Sequence, residues 1–206
     1  PSIPDGRRRP LQPARNSSAA ERIRALGYFG DANVEAAPGS NADQVVVNVD
    51  VEEKPTGSLT IGGSYSVGSG AGLTFGFSED NFLGRGQKVG IDITTGADTV
   101  DSSITFVEPA LLGRDLKLKF GAIYKTSDYA DAFYDTKQIG ISPALEFPIS
   151  EFGRLELRYR VFNDAVKNVD PGSSTILQAE ETVGSPVGSS IGYSYSYDNK
   201  IGGLNP

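Results

Sequence analysis

The carboxylate pairs Glu52-Glu53, Glu79-Asp80 and Glu180-Glu181 are the first places to look for chemistry. A general acid/base dyad needs two carboxyls converging on one substrate. Neighbours on a strand point to opposite faces, and the other two pairs fall in turn or loop sequence, so solvated acids are the expectation. Gly84-Arg85-Gly86 and Gly68-Ser69-Gly70-Ala71-Gly72 fail the G-x-G-x-x-G spacing and precede no helix, which speaks against a phosphate cradle. The acids and amides of 163–170 do not match a calcium loop. The chain has no cysteine and no histidine, which removes disulfides, thiolate metal sites, the usual general base and the commonest metal ligand. No catalytic residue, cofactor or metal is expected, and no enzyme. Asn16-Ser17-Ser18 is a glycosylation sequon in form only.

The charge balance excludes another class. With 19 basic and 26 acidic residues, the 206-residue chain carries a formal charge of -7. Nucleic-acid binding is driven by clustered Lys and Arg, and Arg7-Arg8-Arg9, the basic run, reads as a solvated tail.

What positions these residues is a repeated alternation. Leu155, Leu157, Tyr159 and Val161 interleave with Glu156, Arg158 and Arg160, so a strand here has one apolar and one charged face. Eight such stretches follow Gly57: Ser58–Ser66, Gly72–Ser78, Gln87–Thr95, Asp101–Val107, Leu116–Lys125, Lys137–Phe147, Arg154–Phe162 and Val187–Tyr197. Eight in series without a helix predict a transmembrane β-barrel wall, with lipid on one side and a polar lumen on the other. The lipid-facing residues are expected to include Val89, Ile91, Ile93, Leu118, Phe120, Leu155, Leu157 and Tyr159. Tyr193, Tyr195 and Tyr197 suit an interfacial aromatic girdle. The mean hydropathy of -0.26 is no obstacle, because barrel strands place only half their residues on lipid. Compact connections at 79–86, 108–114 and 148–153 alternate with more polar ones at 96–100, 127–136 and 164–186. That is the pattern of short periplasmic turns and longer outer loops.

The N-terminal region differs. Residues 1–18 lack periodicity and read as irregular. From Ala19 a helix is expected, with Ala19, Ala20, Ile23 and Leu26 on one face and Gly27 as its cap. Strands Asn33–Ala37 and Gln44–Glu53 follow, making 19–54 the back part of a small α/β domain. Proline at Lys54-Pro55-Thr56-Gly57 breaks the ladder and marks a boundary. With no methionine, no signal peptide ahead of Pro1 and the turn-like end Gly203-Leu204-Asn205-Pro206, the chain reads as a piece of a longer protein.

Two blocks carry a resemblance. Val47-Asn48-Val49-Asp50-Val51-Glu52-Glu53-Lys54-Pro55-Thr56-Gly57 resembles the junction between the last POTRA domain and the barrel in the bacterial surface antigen family of outer-membrane protein assembly factors. Ser78-Glu79-Asp80-Asn81-Phe82-Leu83-Gly84-Arg85-Gly86 resembles the first periplasmic turn of that barrel, and Glu108-Pro109-Ala110-Leu111-Leu112-Gly113 the second. The resemblance implies a mainly β fold: the N-terminal half of a transmembrane antiparallel barrel over 57–206, about eight strands of an expected sixteen, after a partial POTRA domain at 19–54.

It also implies ATP-independent folding and insertion of β-barrel proteins into the outer membrane of a Gram-negative bacterium, with the POTRA portion in the periplasm. Partners would be the outer-membrane lipid bilayer, unfolded β-barrel substrates and periplasmic accessory lipoproteins, with no nucleic acid. Insertion would proceed through a lateral seam at the first barrel strand, where Leu59, Ile61, Gly62, Gly63 and Tyr65 lie. Glycine there weakens pairing or marks a bulge. Two other readings remain open. One is a related POTRA-barrel transporter, either a translocation and assembly module or a two-partner secretion protein. The other is a soluble β-sandwich binding module, which would bury Leu155, Leu157 and Val161.

Overall fold

The computed structural model describes residues 13–41, 44–67, 70–128 and 132–199. The chain divides between Thr56 and Gly57 into two compact units.

The first unit contains α1 (Pro13–Ala25), β1 (Phe29–Pro38) and β2 (Val45–Glu53). The helix begins at Pro13, six residues ahead of the expected Ala19 and inside the stretch read as irregular. Proline suits a first helical position, where no intrahelical donor is needed, and the following Ala and Arg are good helix formers. Residues 1–12 of that stretch lie outside the described residues. Gly27, at φ +79°, turns the chain out of the helix, and Tyr28 packs edge-on to Phe29 at 6.4 Å. Leu26, expected on the apolar face, falls past the helix end and is exposed. β1 and β2 pair antiparallel, with Val34 opposite Val49 and Ala36 opposite Val47. Ala20, Ala32 and Val34 form the buried centre, while the β2 valines stay about half exposed.

A polar clip closes the helix–strand corner. Arg24 Nη2 lies 2.9 Å from Asp31 Oδ1 and donates to the Ala32 carbonyl at 2.8 Å. The Ala32 amide donates back to Asp31 Oδ1 at 2.8 Å.

The second unit is one antiparallel sheet of β3 (Gly57–Ser66), β4 (Gly70–Phe82), β5 (Gln87–Thr95), β6 (Thr99–Glu108), β7 (Lys117–Ser127), β8 (Asp135–Pro148), β9 (Gly153–Lys167) and β10 (Val187–Tyr197). Each strand pairs with its sequence neighbours, so β3 and β10 are the two edges among the described residues. All eight expected strands are present. β9 runs five residues beyond the expected Phe162, since Asn163–Lys167 pair with Asp135–Ile139 although their composition reads as loop. α2 (Thr175–Val183) lies in the polar connection at 164–186, where no helix was expected. Ser174 Oγ caps it by accepting from the Leu177 amide at 3.4 Å, and Gly184 ends it at φ +84°.

Within this unit the described strands make a single sheet. Leu157 and Tyr159 remain exposed and Leu155 and Val161 half-buried. The sandwich reading, which required them to be buried between two layers, is therefore overturned.

One prediction concerns the clip. The Ala32 amide, followed by Arg24, holds the Asp31 carboxyl below its ordinary range. A depressed carboxyl stabilises above its unfolded value and loses that contribution as pH falls through its folded one. Asp31→Asn should raise the hydrogen-exchange rate of the Ala32 amide at neutral pH. In acid below the usual carboxylate range, variant and parent should exchange alike.

Candidate functional site

Pairing register sorts the side chains, because directly opposed residues point to the same side of a sheet. Starting from β3, Ile61 opposes Phe75, Phe75 opposes Ile93, Ile91 opposes Ile104, and Val89 opposes Phe106. Phe106 opposes Phe120, Leu118 opposes Leu145, Leu145 opposes Leu157, and Leu157 opposes Tyr193. One face is thus apolar from edge to edge. Val89, Ile91, Ile93, Leu118, Phe120, Leu155, Leu157 and Tyr159 all lie on it, as do Leu59, Ile61, Gly63 and Tyr65 of β3.

The opposite face is polar and charged. Glu146 is nearly covered there, its side chain 12% exposed, with Lys117 at 3.2 Å and Lys119 and Arg154 each at 2.7 Å. Lys119 also reaches Glu156 at 2.7 Å, and Arg158 approaches Glu156 at 3.3 Å. Beyond the strand ends, Arg154 grips Asp115 at 2.9 and 3.2 Å through two nitrogens. Those hydrogen bonds hold the Asp115 carboxyl below its usual range. Higher on the same face, a hollow of about 650 Å³ is lined by Lys125, Gln138, Ser142, Arg158 and Arg160 among others.

β3 is an edge whose pairing with β4 runs in unbroken register from Gly57–Glu79 to Ser66–Gly70. Gly62 and Gly63 therefore do not form a bulge. A Cβ at either would meet only ordinary van der Waals neighbours, Thr74 Cβ at 3.9 Å and Gly72 O at 3.8 Å. Ladder pairing on the β4 side is complete, so among the described residues the unpaired backbone of β3 lies along its other edge. Exposure there is high, at 62% for Leu59, 76% for Ile61 and 79% for Tyr65. Gly57, at the junction, is crowded: a Cβ would come within 2.6 Å of Glu79 Oε2 and 3.3 Å of the Ser78 carbonyl, so the Glu79 side chain would have to shift. Of the other junction residues, Glu52 and Glu53 end β2, the Lys54 amide donates to the Tyr28 carbonyl at 3.2 Å, and Pro55 and Thr56 complete the crossing.

The first compact turn is built by its own side chains. Glu79 Oε1 accepts from the Asn81 amide at 2.9 Å, and Asn81 Oδ1 accepts from Gly86 at 2.7 Å. The Gly84 amide donates to the Asn81 carbonyl and Arg85 to that of Phe82, at 2.9 and 3.2 Å. The second turn repeats this 29 positions later. Glu108 Oε1 accepts from the Ala110 amide at 3.0 Å, Gly113 donates to Ala110 at 2.9 Å, and Arg114 to Leu111 at 3.2 Å. Leu83 and Gly84 have φ of 55° and 69°; Leu112 and Gly113 have 56° and 68°. A left-handed backbone costs a non-glycine residue about 1–2 kcal/mol. Gln87 Nε2 donates to Glu108 Oε2 at 2.6 Å and so braces the two turns. The repeated unit, Glu-x-x-apolar-Leu-Gly-Arg at 79–85 and 108–114, was present in the sequence as an internal repeat of fixed spacing that the reading of separate motifs passed over.

The carboxylate pairs are accounted for locally. Glu79 closes its turn, Asp80 pairs with Lys88 at 3.0 Å, and Glu181 accepts from the Val169 amide at 3.2 Å.

Residues 81–206 match the Omp85 superfamily domain. The chain belongs to the Omp85 superfamily. Within it, the likeness is to BamA. Over 152 residues the chain is 25% identical to the outer membrane protein assembly factor BamA of Neisseria meningitidis serogroup B, covering 71% of this chain and 19% of that one. Over 187 residues it is 24% identical to BamA of Neorickettsia risticii, covering 90% and 24%. The fold matches the crystal structure of Haemophilus ducreyi BamA lacking POTRA domains 1–3, at a TM-score of 0.63 and 23% identity, across 92% of this chain and 39% of that one. The chain thus spans 19% and 24% of the length of the two curated relatives. An Omp85 sheet with one apolar face locates the protein in the outer membrane of a Gram-negative bacterium.

If the apolar face meets hydrocarbon, Leu157→Arg should lower stability by about 2–4 kcal/mol near mid-membrane. Ser194→Arg, on the polar face, should change it little. Urea unfolding of the protein in lipid vesicles, followed by tyrosine fluorescence, would separate the two.

Proposed function

We propose that this chain is part of an outer-membrane assembly factor that inserts β-barrel proteins without ATP, and that β3 is the edge on which a substrate strand pairs. The observation that carries the reading is the coincidence of three properties in one strand. Among the described residues β3 is a sheet edge, it carries exposed apolar residues on the lipid-type face, and it follows the junction Lys54–Gly57 with no intervening element.

Hydrocarbon offers no partner for a bare peptide group, and each unpaired group there costs several kcal/mol. A substrate strand entering beside β3 would find backbone donors and acceptors in register, while Leu59, Ile61 and Tyr65 stayed against lipid. Gly62 and Gly63 add no side chain that a incoming strand would have to fit. Release is then favoured when the substrate's own strands satisfy each other. Val89, Ile91, Ile93, Leu118, Phe120, Leu155, Leu157 and Tyr159 form the lipid-facing wall in this reading. The N-terminal unit, with β2 as an open edge, sits in the periplasm as part of a POTRA domain, where edge pairing can receive unfolded substrates or accessory lipoproteins.

Likeness to named assembly factors supports the class of activity. The reading is tested in the whole protein that carries this segment. A disulfide placed between a cysteine at Ile61 or Tyr65 and the closing strand of the barrel should abolish insertion of a barrel substrate, and reduction should restore it. Undiminished insertion by the oxidised, fully cross-linked protein would refute β3 as the templating edge.

A further inference from the structure

The twin turns carry a feature that neither strand pairing nor sheet packing explains. Leu83 and Leu112 sit at their tips 73% and 85% exposed, on backbone that glycine would occupy without strain. Each is followed by a left-handed glycine and then by an exposed arginine, Arg85 and Arg114. Neither guanidinium forms a salt bridge among the described residues, whereas Lys88 and Arg154 at other strand ends do, and Arg85 acts on Glu108 only from a distance. Two adjacent hairpins therefore present the same apolar-plus-cationic tip, held in the same conformation by a Glu-to-amide hydrogen bond and braced by Gln87.

Strain retained at an exposed position is a reason to look for a function outside the chain. A leucine beside an unpaired arginine at the end of a membrane strand matches the boundary between acyl chains and anionic headgroups: the leucine enters the boundary and the guanidinium meets phosphate. A water-facing turn would accept the arginine but gives no reason for the exposed leucine. We propose that Glu79–Arg85 and Glu108–Arg114 form a paired anchor for anionic phospholipid in the periplasm-facing leaflet, with Leu83 and Leu112 inserted and Arg85 and Arg114 on phosphate. The proposal rests on the assignment of the apolar face to lipid and of these turns to the periplasmic side.

No native cysteine of this segment competes with a label placed in it. The whole protein would carry a single environment-sensitive label at L83C, L112C or, as a reference, L157C, in vesicles of phosphatidylethanolamine with a minority of phosphatidylglycerol. Labels at 83 and 112 should be quenched by lipids spin-labelled near the headgroup and protected from an aqueous quencher, while the label at 157 responds to lipids spin-labelled deep in the chains. R85A and R114A should each weaken phosphatidylglycerol enrichment around the protein by about fivefold, with enrichment restored in part by lysine. Leu83→Gly, which suits the left-handed backbone, should leave the fold intact and shift the 112 label toward water.

If the 157 label meets lipid but those at 83 and 112 meet water, the anchor is overturned while the wall stands. If all three meet water, the underlying assignment of the sheet to the membrane fails with it. Shielding of 83 and 112 that appears only on adding a periplasmic protein would make the occupant a protein surface and would also overturn the anchor.

Discussion

A peptide group in hydrocarbon must be hydrogen-bonded by another peptide group, and the rest of this structure depends on that constraint. β3 to β10 satisfy each other through seven consecutive antiparallel pairings. Because register is continuous across them, a residue's position along its strand also fixes the face it joins. The apolar face from Leu59 through Phe120 to Tyr193 and the charged face from Lys119 through Glu156 are two readings of one ladder. A slip of one residue in any pairing would carry Lys119, Arg154 or Arg158 to the apolar side. The Glu146 cluster therefore ties register to charge: its three cations come from β7 and β9, and converge on β8 only in the observed alignment.

The constraint is satisfied everywhere except at edges. β3 and β10 each leave one row of backbone groups available among the described residues, and membrane strands cannot leave such rows bare in lipid. In the function proposed above, such an edge is where a substrate strand pairs. In that proposal the energy involved is the difference between a solvated, a bare and a paired peptide group, and Leu59, Ile61 and Tyr65 would set the depth of the strand. Turns are the other place where the ladder stops, and there this chain uses side-chain carboxylates, Glu79 and Glu108, to satisfy amides that no strand can reach.

Much of the sheet was legible because its signal is a period of two over eight or more residues. β5 and β10 begin and end where alternation does. β9 was underestimated because Asn163, Asp164 and Lys167 look like loop residues. Above the membrane a strand needs no apolar face, and backbone pairing with β8 carries it on. α1 was started too late because Arg and Ser at 15–18 obscured a helix that needs only weak local propensity and a cap at Gly27. α2 had a visible signal, Ser174 ahead of an apolar run and Gly184 behind it, masked by the length and polarity of its loop. The edge status of β3 could not be read from its residues, since being an edge depends on what lies beside a strand. The left-handed leucines were hidden for another reason: leucine carries no propensity for that backbone, and only the recurrence of Leu-Gly-Arg after a fixed interval hinted at it.

The most direct measurement is a scan of spin labels placed one at a time along β7, from Lys117 to Ser127, in the protein reconstituted in lipid vesicles. Accessibility to oxygen, which concentrates in hydrocarbon, and to a water-soluble nickel complex should alternate with a period of two. Oxygen should prevail at Leu118, Phe120, Ala122 and Tyr124, and nickel at Lys119, Gly121, Ile123 and Lys125. Equal exposure of both sets to the nickel complex would contradict the account.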